Sequence, residues 1–99
     1  MPEPIPICLR LYIAGDAPNS VVAIANLRRA LEQFPDQPVE LEVIDVLAHP
    51  EIGARDGVLV TPTLVKLSPG PERRLLGNLR NAELLLGALG LGAGPHARD

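Results

Sequence analysis

Residues 7–47, ICLRLYIAGDAPNSVVAIANLRRALEQFPDQPVELEVIDVL, decide the fold because their hydrophobic period changes twice. Apolar side chains alternate with other residues in 7–13, the pattern of a strand with one buried face. In residues 21–34 they recur at spacings of three and four, which predicts an amphipathic helix of about four turns. Residues 39–47 alternate again and predict a second strand. Two strands joined by a helix form a βαβ unit with parallel strands and a right-handed crossover.

The helix between these strands has a predicted buried face and a predicted start. Pro18 suits its first turn, and Asp16 or Asn19 can cap it. The apolar residues expected to face the sheet are Val21, Ile24, Leu27, Leu31 and Phe34.

Clusters of glycine and proline divide the rest of the chain into four further elements. The pattern predicts a short helix in 48–57, a strand in 58–67 interrupted by Pro62, a strand in 72–76 and a helix in 79–89. The order β-α-β-α-β-β-α fits an α/β, thioredoxin-like fold. Residues 1–99 are therefore expected to form one domain, with flexible tails at 1–6 and 92–99.

The composition limits the classes of function. The 99 residues are 46% hydrophobic and 21% charged, as in an ordinary globular domain. A net charge of −3 and only two aromatic residues argue against nucleic-acid binding, which usually uses a basic stripe and stacking side chains. No apolar run reaches the roughly 20 residues of a membrane span, and no signal peptide is expected. A single cysteine excludes an internal disulfide and a CxxC pair, so we expect a reducing cytoplasm.

Catalysis is not expected, although a thioredoxin-like fold can support it. In such folds the reactive thiolate lies at the N-terminus of the first helix, where the helix dipole lowers the thiol pKa. The corresponding loop, residues 15–20, has no cysteine, and Ser20 has no neighbouring base. Cys8 lies inside the first strand, where it is interpreted as a small packed side chain. A thiol-dependent enzyme that uses Cys8 is a rival hypothesis.

Pro62 is a structural marker for this fold. Thioredoxin-like domains keep a cis-proline at this topological point, and a proline at a strand start removes a hydrogen-bond donor from the ladder. Most X-Pro bonds are trans, so the sequence leaves both isomers of the Thr61–Pro62 bond open.

Metal and phosphate sites are not indicated by the spacing of polar residues. His49, His96 and Cys8 are far apart in sequence, so neither a metal ion nor another cofactor is expected. The glycines are too scattered to form a phosphate-binding loop.

Two charged pairs are the candidate contact residues for a partner. Arg73 and Arg74 form either a solvated strand end or a docking point for an acidic partner. Glu40 and Glu42 share one face of the second strand, at a strand edge that could recruit a partner strand. The leucines at 84–86 cannot all face one side of a helix, which hints at self-association.

Four motifs in order resemble the KaiB family of circadian clock proteins. The first is LYIAG with PNS in residues 11–20, and the second is VIDVL in 43–47. The third is TPTL in 61–64, and the fourth is PGPERRLLGNL in 69–79. Each motif is weak alone, but four at these spacings are specific, and the likeness extends from about residue 9 to 91.

The resemblance implies a non-catalytic regulatory adaptor. KaiB proteins bind the ring-shaped ATPase KaiC and help to sequester KaiA, closing a feedback loop in a phosphorylation clock. A related thioredoxin-like domain senses KaiC at the front of a histidine kinase. The family also implies a second, ground-state fold with a rearranged C-terminal half, and self-association to a dimer or tetramer. The alternative is a stand-alone thioredoxin-like signalling or stress-response module without a circadian role.

The chain departs from the family pattern in its C-terminal half. Arg80 replaces a serine that would cap the last helix, although Asn78 or Asn81 can compensate. The glycine pattern of residues 87–90 is altered, and a glycine-rich tail replaces an acidic one. These changes lie in the half that the family rearranges, so they bear on the balance between the two folds.

Overall fold

The structure is a computed structural model that describes residues 4–91. Its seven elements follow the predicted order, β1 (Ile7–Ile13), α1 (Pro18–Glu32), β2 (Val39–Asp45), α2 (Pro50–Arg55), β3 (Thr63–Ser68), β4 (Arg73–Leu76) and α3 (Ala82–Leu89). Within the predicted tails, residues 4–6 are exposed and have no regular structure, whereas 1–3 and 92–99 lie outside the described residues. Among residues 4–91, no helix is both long and apolar enough to cross a membrane.

The four strands form one mixed sheet in the order β2-β1-β3-β4. β1 and β2 are parallel, as the βαβ pattern predicts, and their register runs from Ile7↔Val39 to Ile13↔Asp45. β3 is antiparallel to both β1 and β4. This arrangement confirms the predicted α/β class and leaves β2 and β4 as the two edge strands.

The main core lies on one side of the sheet, which we call the helical face because α1 and α3 cover it. It joins Leu9 and Leu11 of β1 and Leu64 of β3 to Leu27 of α1 and Leu85 of α3. Each of these leucines is at most 2% exposed. Burying one such side chain is worth roughly 1.5–3 kcal/mol, so this layer supplies most of the hydrophobic stabilisation.

The opposite side of the sheet, which we call the open face, is covered only at one end. There Tyr12, Ile44 and Val65 form a smaller buried cluster, against which Ile52 of α2 packs. No other helix of the described chain packs on this face, and the rest of it carries the polar side chains of Arg10, Glu40, Glu42 and Arg74 beside the apolar Leu67 and Leu76.

Helix α1 differs from its predicted bounds and buried face. It begins at Pro18, the first-turn position expected for that residue, but its N-cap is Ala17 with no side-chain hydrogen bond, so the predicted caps are wrong. The predicted face is confirmed at Leu27, which is fully buried, and Ile24 and Leu31 are half-buried against the main core. The prediction is wrong for Val21, which is 52% exposed. The other buried residues of the helix are Ser20, Ala23 and Ala30. The small side chains let the helix lie close to the sheet, an effect that a pattern of large apolar residues does not reveal.

Strand β3 begins at Thr63, five residues later than predicted. The residues before it lie outside the sheet, and Leu59 is 93% exposed. Proline cannot donate to the ladder, which explains why regular pairing starts only after Pro62. The Thr61–Pro62 bond is cis, and the Ser68–Pro69 bond at the other end of the strand is also cis.

Helix α3 is capped by the asparagine that the sequence offers in place of serine. The side chain of Asn81 accepts a hydrogen bond from the Leu84 N–H at 3.0 Å, so the helix begins at Ala82 rather than at residue 79. Leu85 is buried while Leu84 is 59% exposed, as expected for consecutive leucines on a helix. The helix ends at Gly90, which adopts a left-handed conformation with φ of 77°.

The two glycines of α3 are expected to respond oppositely to alanine. An added Cβ at Gly87 meets nothing within 4 Å, so Gly87→Ala should stabilise the protein by about 0.5–1 kcal/mol through helix propensity. Gly90→Ala places a Cβ at positive φ and should destabilise it by about 1–2 kcal/mol. Urea denaturation followed by circular dichroism measures both values. Effects of the same sign would contradict this description of the helix end.

Candidate partner-binding surface

The four candidate contact residues lie on opposite edges of the sheet. Glu40 and Glu42 belong to β2, whereas Arg73 and Arg74 belong to β4. Three strand spacings separate these edges, which is roughly 14 Å. The structure therefore forms two charged edges, one acidic and one basic, and does not bring the four residues into a single site.

The faces of the sheet separate the residues further. Glu40 and Glu42 are register partners of Cys8 and Arg10, which places both glutamates on the open face. Arg74 pairs with Val65, a residue of the open-face cluster, so it also lies on that face. Arg73 immediately precedes Arg74 in the strand, so its side chain projects on the opposite side of the sheet, the helical face.

A network of charged and polar groups crosses the open face. The Arg10 guanidinium lies 3.0 Å from Glu42 Oε1 and 3.5 Å from Asp56 Oδ2. The Tyr12 hydroxyl donates a hydrogen bond to Asp56 Oδ2 at 2.6 Å, and Arg55 contacts Asp56 Oδ1 at 2.8 Å. Asp56 is thus the residue that joins β1 to the end of α2.

The titration of the network follows from these contacts. The hydrogen bond from Arg55, followed by that from Tyr12, lowers the pKa of Asp56 from 3.8 to about 2. Burial and the hydrogen bond to Asp56 raise the pKa of Tyr12 above its ordinary value of 10.0. At neutral pH the aspartate is ionised and the phenol is protonated, which is the combination that their hydrogen bond requires.

Arg74 and Arg73 have different surroundings. The Arg74 guanidinium donates to the backbone carbonyls of Asp56 at 2.7 Å and Gly57 at 3.2 Å, so it fastens the end of α2 to β4. Its third contact is with Glu72, at 3.4 Å. Within residues 4–91, the side chain of Arg73 has no hydrogen bond and no carboxylate within 4.0 Å, and the residue is exposed. Arg73 is therefore the arginine available to a partner.

The loop that would hold a redox centre is occupied by structural contacts. The Ala14 N–H donates to the Ser20 hydroxyl at 3.1 Å, and the Gly15 N–H donates to Asp45 Oδ1 at 2.9 Å. Asp45 also accepts from the Leu47 N–H, and these backbone hydrogen bonds lower its pKa. The side chains of Ser20 and Asp45 thus hold the loop between β1 and α1 against the start of α1 and the end of β2.

Cys8 lies away from the position of a thioredoxin-like active site. Thr63, which follows Pro62, pairs with Tyr12, four residues along β1 from Cys8 and so about 13 Å away. The Cys8 thiol donates to Glu40 Oε1, with the sulfur 3.6 Å from that oxygen. This geometry does not support the rival hypothesis of a Cys8 enzyme.

The histidines do not form a metal site in the described part of the chain. His49 precedes α2 and its Nδ1 lies 3.7 Å from Glu51, and both side chains are exposed. Residues 4–91 contain no group of three histidine, cysteine or acidic side chains placed to hold a metal ion. His96 lies outside the described residues.

The sequence reasoning missed Arg10, Tyr12 and Asp56. Arg10 and Tyr12 alternate with the core leucines of β1, and this period-2 spacing was the available signal that they share a face. The contact with Asp56 spans 44 residues of sequence, and no local pattern predicts it.

Comparison with known proteins identifies relatives over most of the chain. Residues 10–91 match the KaiB domain family. The chain is 46% identical over 83 residues to the circadian clock oscillator protein KaiB of Thermosynechococcus vestitus. The aligned segment covers 84% of this chain and 77% of that protein. The KaiB protein of Nostoc punctiforme is 45% identical over the same length, covering 84% of this chain and 80% of the relative.

Solved structures resemble the fold. The N-terminal domain of Synechococcus elongatus SasA has a TM-score of 0.70 at 26% identity, covering 91% of this chain and 87% of that domain. Mitochondrial thioredoxin 3 of Saccharomyces cerevisiae has a TM-score of 0.68 at 20% identity, covering 85% of this chain and 76% of the thioredoxin. The likeness to thioredoxin shows the fold alone.

We predict that Asp56→Asn weakens the acid dependence of stability. Because the pKa of Asp56 in the folded protein is about 2, below the ordinary 3.8, its charge stabilises the fold above pH 4. That contribution is lost as the pH falls from about 4 to about 2. Urea denaturation from pH 7 to pH 2 should show a smaller fall in unfolding free energy for the variant.

The control is Asp36→Asn, because Asp36 is exposed and its side chain has no hydrogen bond or ion pair within residues 4–91. It should leave the acid dependence unchanged. If Asp56→Asn and the parent protein lose stability in parallel between pH 4 and pH 2, the proposed role of Asp56 is wrong.

Proposed function

This chain belongs to the KaiB family, and we propose that it acts as a KaiB-type clock regulator that binds a KaiC-like ATPase ring. The observation that carries the proposal is the family match, which extends over residues 10–91 and so includes both sheet edges. Identity of 45–46% over 84% of the chain to KaiB clock proteins supports it. A partner that hydrolyses ATP is expected in the cytoplasm, and we propose the same location for this protein.

The proposed role is binding rather than catalysis. The loop at the start of α1 contains no thiol, and its polar side chains are engaged with the backbone. Cys8 is remote from Pro62 and lies next to a carboxylate. KaiB relatives are named as clock oscillator proteins, so both the geometry and the relatives favour an adaptor.

The thioredoxin-like arrangement is the one that the family resemblance associates with KaiC binding. The family's second fold would keep the βαβ unit of residues 7–47 and rearrange the remainder. The main core joins β1 to Leu27 of α1, which lies inside that unit and would be preserved, and to Leu64 and Leu85, which lie in the remainder. Binding of KaiA or a histidine kinase, and assembly into dimers or tetramers, belong to this proposal as further functions of the same chain.

We propose that Arg73 is the principal charged contact on the β4 edge. It is exposed and has no acidic partner among the described residues, so a carboxylate of the ATPase would meet a cation whose charge is not already neutralised. Glu42 is 63% exposed but is paired with Arg10, and Glu40 lies beside Cys8. The glutamates therefore form a second, separate contact for a basic surface.

Arg73→Glu should weaken binding to the KaiC-like ATPase at least about tenfold, which corresponds to about 1.4 kcal/mol. The measurement is a pull-down of the host's RecA-like ATPases, followed by titration of the captured ATPase. Arg28→Glu on the exposed side of α1 reverses the same charge elsewhere and should leave affinity unchanged. The single variant is preferable to a double one, because Arg74→Glu would also break the contacts to Asp56 and Gly57.

Equal affinity of the Arg73→Glu variant and the parent would remove Arg73 from the contact surface. Failure of the parent protein to capture any RecA-like ATPase would reject the KaiC-type role. Capture of other signalling proteins in its place would favour a stand-alone thioredoxin-like module.

A further inference from the structure

β4 is an edge strand whose outer side has no partner strand. Within the described sheet it pairs only with β3, through Thr63↔Leu76 to Lys66↔Arg73. An edge strand presents unpaired backbone N–H and C=O groups, and an extended peptide can add to it as a further strand. The side chains around this edge determine which peptide it would accept.

Positive charge on the helical face of this edge is not balanced. Lys66 is only 9% exposed and lies directly across from Arg73 on the neighbouring strand. Among residues 4–91, neither side chain has a carboxylate within 4.0 Å, and the neighbouring Glu72 contacts Arg74. Like charges that face each other across two strands are destabilising, and an incoming carboxylate would relieve this repulsion.

A groove lies beside the same edge, between β4 and α3. On the strand side it is lined by residues 71–75, which include Glu72, Arg73 and Leu75, and on the helix side by Leu84, Gly87 and Ala88. Leu84 is 59% exposed, and no atom lies within 4 Å of where a Cβ of Gly87 would be. The groove therefore has space and an apolar wall for a side chain that enters from an added strand.

Strand geometry fixes the spacing of the side chains that would be recognised. Alternate residues of an added strand project on the same face, so the side chains opposite Arg73 and Leu75 are two residues apart. We propose that the β4 edge binds an extended segment in which an acidic residue is two positions from a large apolar residue. The carboxylate contacts Arg73 and so offsets the repulsion between Arg73 and Lys66, and the apolar side chain enters the groove against Leu84.

This inference deepens the proposed function, because it states how the Arg73 edge recognises a partner segment. The edge site is tested with a peptide in the absence of the ATPase, so the edge site and the KaiC-type role can fail separately. Peptide binding without ATPase capture would retain the edge site and reject the KaiC-type role. ATPase capture without peptide binding would retain the KaiC-type role and reject the edge site.

The probe is the blocked peptide Ac-Thr-Leu-Thr-Glu-Thr-Leu-Thr-NH2, which has leucine on both sides so that either strand direction is allowed. In a titration of the ¹⁵N-labelled full chain, amide shifts should change in residues 73–76 and 84–88 and remain constant in β2. The same peptide with lysine in place of glutamate should bind at least tenfold more weakly.

Variants of the protein test the charge. Arg73→Glu should lose the acidic peptide and gain the lysine peptide, whereas Arg28→Glu should bind both as the parent does. The ¹⁵N spectrum of each variant shows whether it is folded. A folded Arg73→Glu variant that binds the glutamate peptide as tightly as the parent overturns the proposal.

Two N-methylated peptides test strand addition itself. One carries methyl groups on the leucine and glutamate amides, and the other carries them on the threonine amides. Because N–H groups of alternate residues point to opposite sides of a strand, only one peptide should lose binding. Any other pattern overturns strand addition, and so do concentration-dependent shifts of β2 and β4 without peptide, which would assign the edge to a second copy of the chain.

Discussion

The structure depends on the position of β1 between β2 and β3. This strand joins the parallel half of the sheet to the antiparallel half and is paired along both of its edges. Leu9 and Leu11 pack toward the helices, while Tyr12 fills the cluster under α2, and all three are at most 2% exposed. A one-residue slip of β1 would exchange its two faces, placing Arg10 in the main core. The alternation of this one strand therefore fixes the register of the whole sheet.

Because β1 and β3 are paired on both sides, the unpaired backbone groups of the sheet lie on its two edges, where we propose that partners bind. The β2 edge carries Glu40 and Glu42, and the β4 edge carries Arg73 and Arg74. Two identical edges would oppose like charges if they paired symmetrically, which limits edge-to-edge aggregation. The same charges favour partner segments of opposite sign. A short polar network through Asp56 ties the intervening α2 to β1 and β4, so the two edges are held on one framework although they form separate surfaces.

The βαβ unit and the element order could be predicted because they follow from local hydrophobic period and from glycine and proline positions. The buried face of α1 could be predicted only in part: Leu27 is buried as expected, whereas close approach to the sheet selects Ala23 and Ala30 over larger side chains. The charged residues of both edges could be named from the sequence. That they lie on opposite edges, and that Arg74 but not Arg73 is engaged by backbone carbonyls, depends on strand order and on a contact with residue 56.

The loop that carries the reactive thiol in thioredoxin-like folds, residues 15–20, contains no cysteine in this chain. In this chain the groups at the helix start are already used, since Ser20 and Asp45 accept the N–H groups of Ala14 and Gly15. No hydrogen-bonding capacity of these two backbone N–H groups remains there for a substrate. The unpaired backbone groups of the sheet lie on the two edge strands, β2 and β4. On β4, Arg73 adds an exposed guanidinium with no carboxylate within 4.0 Å among residues 4–91. The contact surface that we propose at Arg73 therefore lies at a sheet edge, away from the loop whose N–H groups are already hydrogen-bonded.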